Sequence, residues 1–353
     1  MAENNEITLK GIGLKSRFFF APVNTGLAIN GCPSPELISF HALRSNIYTG
    51  INYVGNVAID AQMVTNANTL FITPGMENFG NLAAAIEAGG SVPGAQIACL
   101  KSKYETQRKW MNKDPLTYLD YIREEIKNLD NQDIKKIITS FQTGVRQLYE
   151  SGFRAIQLHG AHGYFLNNFL SPAINKRQDE FGKDRTLIVR EILDGIASIT
   201  PNCIIDLRVS VFETEIAELN EQHLQFLDKI VAINGIDIIS ISNGLYNINK
   251  KMIYPGKEYA DTFMMGILSD YVNKQPGKNW NIAGNVRDIS NLLDSPENIS
   301  FSIGRPLIAD PDFIRKHFEG RKPEIIECIY KNKCHYFSRN ASHIECGVNA
   351  KIY

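Results

Sequence analysis

Residues 153–164 read FRAIQLHGAHGY. The run from Phe153 to His159 is short and largely apolar, the composition of a buried strand. It stops on His159, and a glycine-containing turn then brings His162 and Tyr164 close behind. In an α/β barrel, catalytic groups collect at the C-terminal ends of strands and in the loops that follow. The rest of the chain repeats the pattern. Arg17–Ala21, Ile51–Ile59, Gly94–Cys99, Phe153–His159, Cys203–Val211, Ile236–Ile241, Asn279–Ala283 and Ile299–Ile303 make eight candidate strands. Between them apolar residues recur at helical spacing. One stripe is Ile134, Ile137, Ile138, Phe141, Val145 and Leu148, and another is Leu224, Leu227, Ile230 and Val231. Strand–helix alternation implies parallel pairing, and eight repeats imply a closed (β/α)8 TIM barrel. A doubly wound open sheet is the alternative, but no G-x-G-x-x-G follows the first strand.

Residues Ile7–Ser16, with Lys10-Gly-Ile-Gly at their centre, predict a small hairpin closing the bottom of the barrel. Lys101–Tyr118 is polar and irregular and predicts a loop over the mouth. No Pro/Gly/Ser-rich linker divides the chain. Residues 1–353 therefore read as one domain with a short N-terminal hairpin and a C-terminal tail.

Composition narrows the function. The 353 residues are 44% hydrophobic and 21% charged, which suits a globular protein with a full core. A net charge of −1 supplies no field to draw in nucleic acid or an anionic membrane. The N-terminus lacks the basic start and apolar stretch of a signal peptide, and no uncharged apolar run is long enough to span a bilayer. The expected location is cytoplasmic. In a reduced compartment the six cysteines stay thiols.

The strand ends carry the chemistry. Two imidazoles, His159 and His162, can donate hydrogen bonds to a carbonyl or phenolate oxygen. The Tyr164 hydroxyl stays protonated at neutral pH and can deliver a proton. A zinc pair or ordinary core histidines are the alternatives, and zinc would need a further ligand. Arg208 stands among apolar residues on the fifth strand and must be paired, either with an anionic or electron-withdrawing ligand or with Asp206. The last two strands run into Ala283-Gly-Asn and Ile303-Gly-Arg-Pro. Barrels often bind phosphate there, where glycines let its oxygens approach the backbone. Arg305 would add a charge-assisted contact.

At these residues the sequence resembles the old yellow enzyme family, most closely its NADH:flavin oxidoreductase and 2,4-dienoyl-CoA reductase branch. The resemblance runs from about Lys10 to Asn349. It is strongest over AIQLHGAHGYFLNNFLSPAINKRQDEFG, Ala155 to Gly182. FFFAPVNTGLA near the start, DLRVS at Asp206–Ser210, ISNG at Ile241–Gly244 and FSIGRPLIADPDF near the end support it. The resemblance implies a non-covalent FMN in the barrel mouth, reduced by NAD(P)H. It puts Pro22, Val23, Asn24 and Asn56 beside the flavin, Gln96 on its pyrimidine ring and Arg208 near N1 and O2. It gives the phosphate to Gly284, Asn285, Gly304 and Arg305. His159 and His162 would bind the substrate oxygen, and Tyr164 would supply the proton. The implied reaction passes hydride from flavin N5 to an electron-poor alkene, an enone-type small molecule. Many relatives are dimers or higher assemblies, so a homo-oligomer is compatible with the resemblance.

The sequence departs from the family at three places. Ile97, Ala98 and Cys99 follow Gln96 where the family often has Gln-Leu-x-His. The GGSxENR stretch is shortened to Gly182-Lys-Asp-Arg185. Near the C-terminus, Lys331 replaces the second cysteine of the Cys-x-x-Cys that opens an iron–sulfur site in dienoyl-CoA reductases. Cys328, Cys334 and Cys346 cannot make a four-cysteine site. His335 and His343 do not complete a standard zinc spacing. No metal is expected, and electrons are expected to pass directly from NAD(P)H to FMN. An NADH oxidase, a flavin dehydrogenase of other specificity and a flavin-binding sensor without turnover compete with the ene-reductase reading. A glycosidase would need two opposed carboxylates, but the strand ends offer Asn, Gln, His and Arg.

Overall fold

The computed structural model describes residues 6–100, 114–213, 225–258, 269 and 271–353. The barrel strands are β1 (Phe18–Phe20), β2 (Ile51–Ala58), β3 (Val92–Ala98), β4 (Ala155–Gly160), β5 (Ile204–Phe212), β6 (Ile238–Asn243), β7 (Asn279–Ala283) and β8 (Ile299–Ile303). Each lies parallel to the next. β8 returns to β1 through Phe301↔Phe18, Ser302↔Phe19 and Ile303↔Phe20, which closes the ring. All eight expected strands are present. Their ends shift by a residue or two: β3 opens at Val92, whose N–H reaches the Gly50 carbonyl, and β6 runs on to Asn243.

The strands are buried on both faces, by the barrel interior and by the helices outside, so they read as near-continuous apolar runs. The helix Asn131–Glu150 shows why the outer layer forms. Asp130 caps it by accepting from Gln132 N, and the stripe from Ile134 to Leu148 is buried against the sheet. Each such side chain contributes about 1.5–3 kcal/mol. Of the second stripe, Leu227, Ile230 and Val231 are buried, while Leu224 lies outside the described residues.

The N-terminal hairpin is present. Ile7–Leu9 pairs antiparallel with Ile12–Leu14, and Lys10 and Gly11 make the turn at positive φ. Leu9 and Leu14 pack against Phe19, Ile51, Ala155, Ile204 and Ile238, at the N-terminal ends of the strands. The hairpin thus plugs the end opposite the expected site.

One loop expectation is corrected. Most of Lys101–Tyr118 lies outside the described residues, but Pro115 to Tyr118 already belong to the helix Pro115–Lys127. Asp114 caps that helix by accepting from Thr117 N, a signal hidden in a polar stretch. The tail is also more than an appendage. Tyr336 reaches Asn24, Ile344 N donates to the Thr25 carbonyl, and Arg44 holds the Ile352 carbonyl. The tail therefore folds back across the C-terminal mouth of the barrel. Among the described residues no helix is long and apolar enough to cross a membrane.

Candidate active site

The turn after β4 sets the geometry. His162 and Gly163 both adopt the left-handed conformation, with φ of 63° and 84°. For His162 this is strained, a cost of about 1–3 kcal/mol that its surroundings must hold. They do so at three points. His162 N donates to Ser210 Oγ (3.0 Å), Tyr246 N donates to the His162 carbonyl (3.2 Å), and Gly163 N donates to Asn167 Oδ1 (2.8 Å). Tyr164 then begins the helix Phe165–Leu170. The result is a cluster of rings. His159 lies 4.3 Å from Tyr164 and 5.1 Å from His162, centroid to centroid.

Burial, and next the Arg208 charge, hold the pKa of both imidazoles well below the ordinary histidine value. Both are neutral at pH 7, so each ring has one N–H and one acceptor nitrogen. The neighbours decide which is which. Asp206 Oδ2 accepts from Gln157 Nε2 (2.6 Å), so Gln157 Oε1 accepts from Gln96 Nε2 (2.6 Å). That amide nitrogen also faces His159 Nδ1 at 3.4 Å. His159 Nδ1 is therefore the acceptor, and Nε2 carries the proton. Ser242 Oγ accepts from Arg208 Nη2 (3.1 Å) and lies 2.6 Å from His162 Nε2. Where Ser242 gives its own proton to His162 Nε2, the ring keeps Nδ1–H. In that tautomer each histidine keeps one N–H without a partner among the described residues.

Tyr164 Oη meets Thr65 Oγ1 at 2.9 Å. Burial raises its pKa to about 12, against the lowering effect of the Thr65 hydrogen bond. It is protonated throughout the physiological range.

All thirteen residues expected at the site line one cavity at the barrel mouth: Pro22, Val23, Asn24, Asn56, Gln96, His159, His162, Tyr164, Arg208, Gly284, Asn285, Gly304 and Arg305. Among the described residues no carboxylate lines it, while Arg208 and Arg305 do. Arg208 makes no ion pair with Asp206, whose Oδ2 instead accepts from Tyr53, Gln157 and Ser240. Buried Arg208 Nε has no partner. A guanidinium that lines the cavity with one buried N–H unpartnered fits the electron-rich edge of a flavin. The same cavity has an open cradle at Gly304, where an added Cβ would meet only Ala21 Cβ, at 3.9 Å. Arg305 is steadied there by the Pro255 carbonyl (2.5 Å), by Asn332 Oδ1 (3.2 Å) and by the Tyr330 ring. Two of its five N–H donors are used, which leaves capacity for a phosphate. The Asn24 side chain is spent on protein partners, Asn56, Thr69 and Tyr336.

Sequence reasoning missed Thr65, Ser242, Tyr246, Tyr254 and Tyr336, which also line the cavity. Thr65 follows β2 and Ser242 lies near the end of β6, so the strand-end rule was enough to find both. Tyr336 carried no such signal, because it arrives from the tail. Cys328, Cys334 and Cys346 line a second, smaller pocket with Lys331, and Cys334 also faces the main cavity. Burial raises the Cys334 pKa to about 12, so it stays a thiol.

A closed parallel barrel with this mouth defines an enzyme of the flavin-barrel class. The chain belongs to the NADH:flavin oxidoreductase / NADH oxidase family, whose signature matches residues 5–324. It is 27% identical over 268 residues to the NADPH dehydrogenase of Geobacillus sp. (strain WCH70), covering 72% of this chain and 77% of that protein. The fold is shared with a 2-naphthoyl-CoA reductase in complex with 2-naphthoyl-CoA (TM-score 0.84, 18% identity), where it covers all of this chain and 58% of the other. This chain thus spans little more than half of that longer one. The fold is also shared with an old yellow enzyme homologue from Zymomonas mobilis (TM-score 0.67, 17% identity, 93% and 95% coverage). The protein is accordingly an FMN-dependent oxidoreductase that takes its electrons from NAD(P)H.

Proposed function

We propose that the enzyme reduces electron-poor alkenes, enone-type small molecules, at the cavity between His159, His162 and Tyr164. The observation that carries this reading is the pair of uncommitted imidazole N–H groups beside a protonated tyrosine. His159 Nε2 and His162 Nδ1 hold the substrate carbonyl oxygen and take up the negative charge that develops on it. This polarisation makes the β-carbon electrophilic. FMN, when bound, supplies the hydride. Tyr164 gives its proton to the α-carbon. Arg208 and Gln96 hold the flavin ring with Pro22, Val23, Asn24 and Asn56 alongside it, and Gly284, Asn285, Gly304 and Arg305 hold its phosphate.

The test is direct. The purified protein should be yellow, bleach under anaerobic NADPH or NADH, and regain its colour on adding 2-cyclohexenone as cyclohexanone forms. A reduced enzyme that oxygen reoxidises but the enone does not would reject the ene-reductase reading in favour of an oxidase.

Arg208→Met tests the cofactor assignment without turnover. Losing a charge-assisted hydrogen bond costs about 1.5–3 kcal/mol, so FMN should bind roughly ten- to a hundredfold more weakly. Quenching of FMN fluorescence on titration with apoprotein measures it. Unchanged affinity removes Arg208 from the flavin site.

A further inference from the structure

We infer that Thr65 is a positioning residue for proton delivery: its hydroxyl donates to Tyr164 Oη, turns the tyrosine proton toward the cavity and steadies the oxyanion left behind. The inference rests on the proposed role of Tyr164 as proton donor.

The direction of this bond follows from backbone groups some way off. Gly26 N donates to Asn24 Oδ1 (3.2 Å), which orients the Asn24 amide. Asn68 N donates to Asn66 Oδ1 (3.0 Å), which orients Asn66. Asn66 Nδ2 therefore donates to Tyr336 Oη (2.8 Å), and Tyr336 passes its own proton to Asn24 Oδ1 (2.7 Å). Asn24 Nδ2 donates to Asn56 Oδ1 (3.2 Å), so Asn56 presents its Nδ2 to Thr65 Oγ1 (3.0 Å). Every donor in this chain points the same way. Thr65 Oγ1, already accepting from Asn56, has its proton to give, and Tyr164 Oη stands 2.9 Å away. The alternative acceptor, Asn56 Oδ1, is farther at 3.3 Å and already accepts from Asn24. Tyr164 cannot use its own proton toward Thr65 in this arrangement, and so holds it toward the cavity.

In the chemical step the Tyr164 O–H bond breaks, a C–H bond forms on the substrate α-carbon, and the electron pair stays on Oη. No redox change occurs at the tyrosine, and solvent returns its proton afterwards. Hydrogen bonds to a charged acceptor are stronger than to a neutral one, so Thr65 favours the ionised tyrosine over the neutral one. Among the described residues the other titratable groups facing Tyr164 are His159, Tyr246, Tyr254 and Tyr336, and His159 is kept neutral by burial.

The experiment uses FMN-loaded full-length enzyme and stopped-flow measurement of each half-reaction. Thr65→Val and Thr65→Ala, one keeping the volume and one reducing it, should slow reoxidation by 2-cyclohexenone roughly ten- to a hundredfold. Reduction by NADPH should be unchanged, and Thr65→Ser should restore the rate. A second readout needs no turnover. With Tyr164→3,5-difluorotyrosine, whose phenol is more acidic than tyrosine's, fluorine NMR follows ionisation at position 164. Adding Thr65→Val should raise the midpoint by about one to two pH units. Equal slowing of both half-reactions, no rescue by serine, or an unmoved fluorotyrosine midpoint overturns the inference. Tyr164→Phe is run beside these variants. If it reoxidises at the wild-type rate, the proton-donor reading itself fails and the Thr65 inference with it. If it is slow while Thr65→Val is not, only the inference fails.

Discussion

Tyr164→Phe should leave reduction by NADPH intact and slow alkene reduction by about 10²–10⁴-fold. The substitution removes one oxygen from a ring held 4.3 Å from His159, so packing changes little. What is lost is the proton. The first half-reaction needs no acid at this position, whereas the second ends with an unprotonated carbon. Proton donation by a positioned group is worth roughly this factor, and water must replace it from outside a cavity roofed by the tail. Stopped-flow absorbance at the flavin band separates the two halves. Equal loss in both would contradict the assignment.

Stability should fall steeply as the pH drops below about 6.5. Burial pushes His41 and His335 down to about 3, and His159 and His162 well below the ordinary value. In the unfolded chain each of these takes up a proton near pH 6.5, while in the folded protein it does not. Their contribution is intact above that pH and is lost progressively toward the folded pKa, at about 1.4 kcal/mol per pH unit each. Asp206 works the other way. Burial raises it to about 6, so the folded state gains a proton first and offsets one of the four between about pH 6 and 4. The four histidines less Asp206 give about 4 kcal/mol per pH unit, to which His317, also lowered by burial, adds in the same direction, against a total stability of roughly 5–15 kcal/mol. Acid unfolding is therefore expected between about pH 3 and 5. Urea midpoints measured from pH 7.5 to 5 check it, and His41→Gln should flatten the slope by about one proton. A flat profile over this interval would show that these histidines charge without unfolding.

The barrel was legible because its signal is periodic. Each strand is a short apolar run, and the stripe from Ile134 to Leu148 repeats at helical spacing, so eight strands and their order follow from local pattern. The HGAHGY cluster was legible because a barrel concentrates chemistry where its strands stop. Single polar contacts were not. Thr65 stands in a run of Thr and Asn with no period, and its meaning depends on Tyr164 99 residues later. Tyr336 meets Asn66 across 270 positions, a separation on which local pattern is silent. The helix starting at Pro115 was hidden by polar residues that serve as its cap and outer face.

The folded-back tail also bears on how such an enzyme can be altered. The chemical groups His159, His162 and Tyr164 belong to the barrel, while the wall formed by Tyr336 and Ser338 belongs to the tail. That wall is moored at Arg305–Asn332 on one side and at Arg44–Ile352 on the other. Reactivity and molecular recognition thus draw on two stretches of chain that meet where Tyr336 joins the Asn24–Asn56–Thr65 hydrogen bonds. Exchanging tail residues other than Tyr336 between the moorings should remodel which guests enter while leaving the reacting centre beneath as it was.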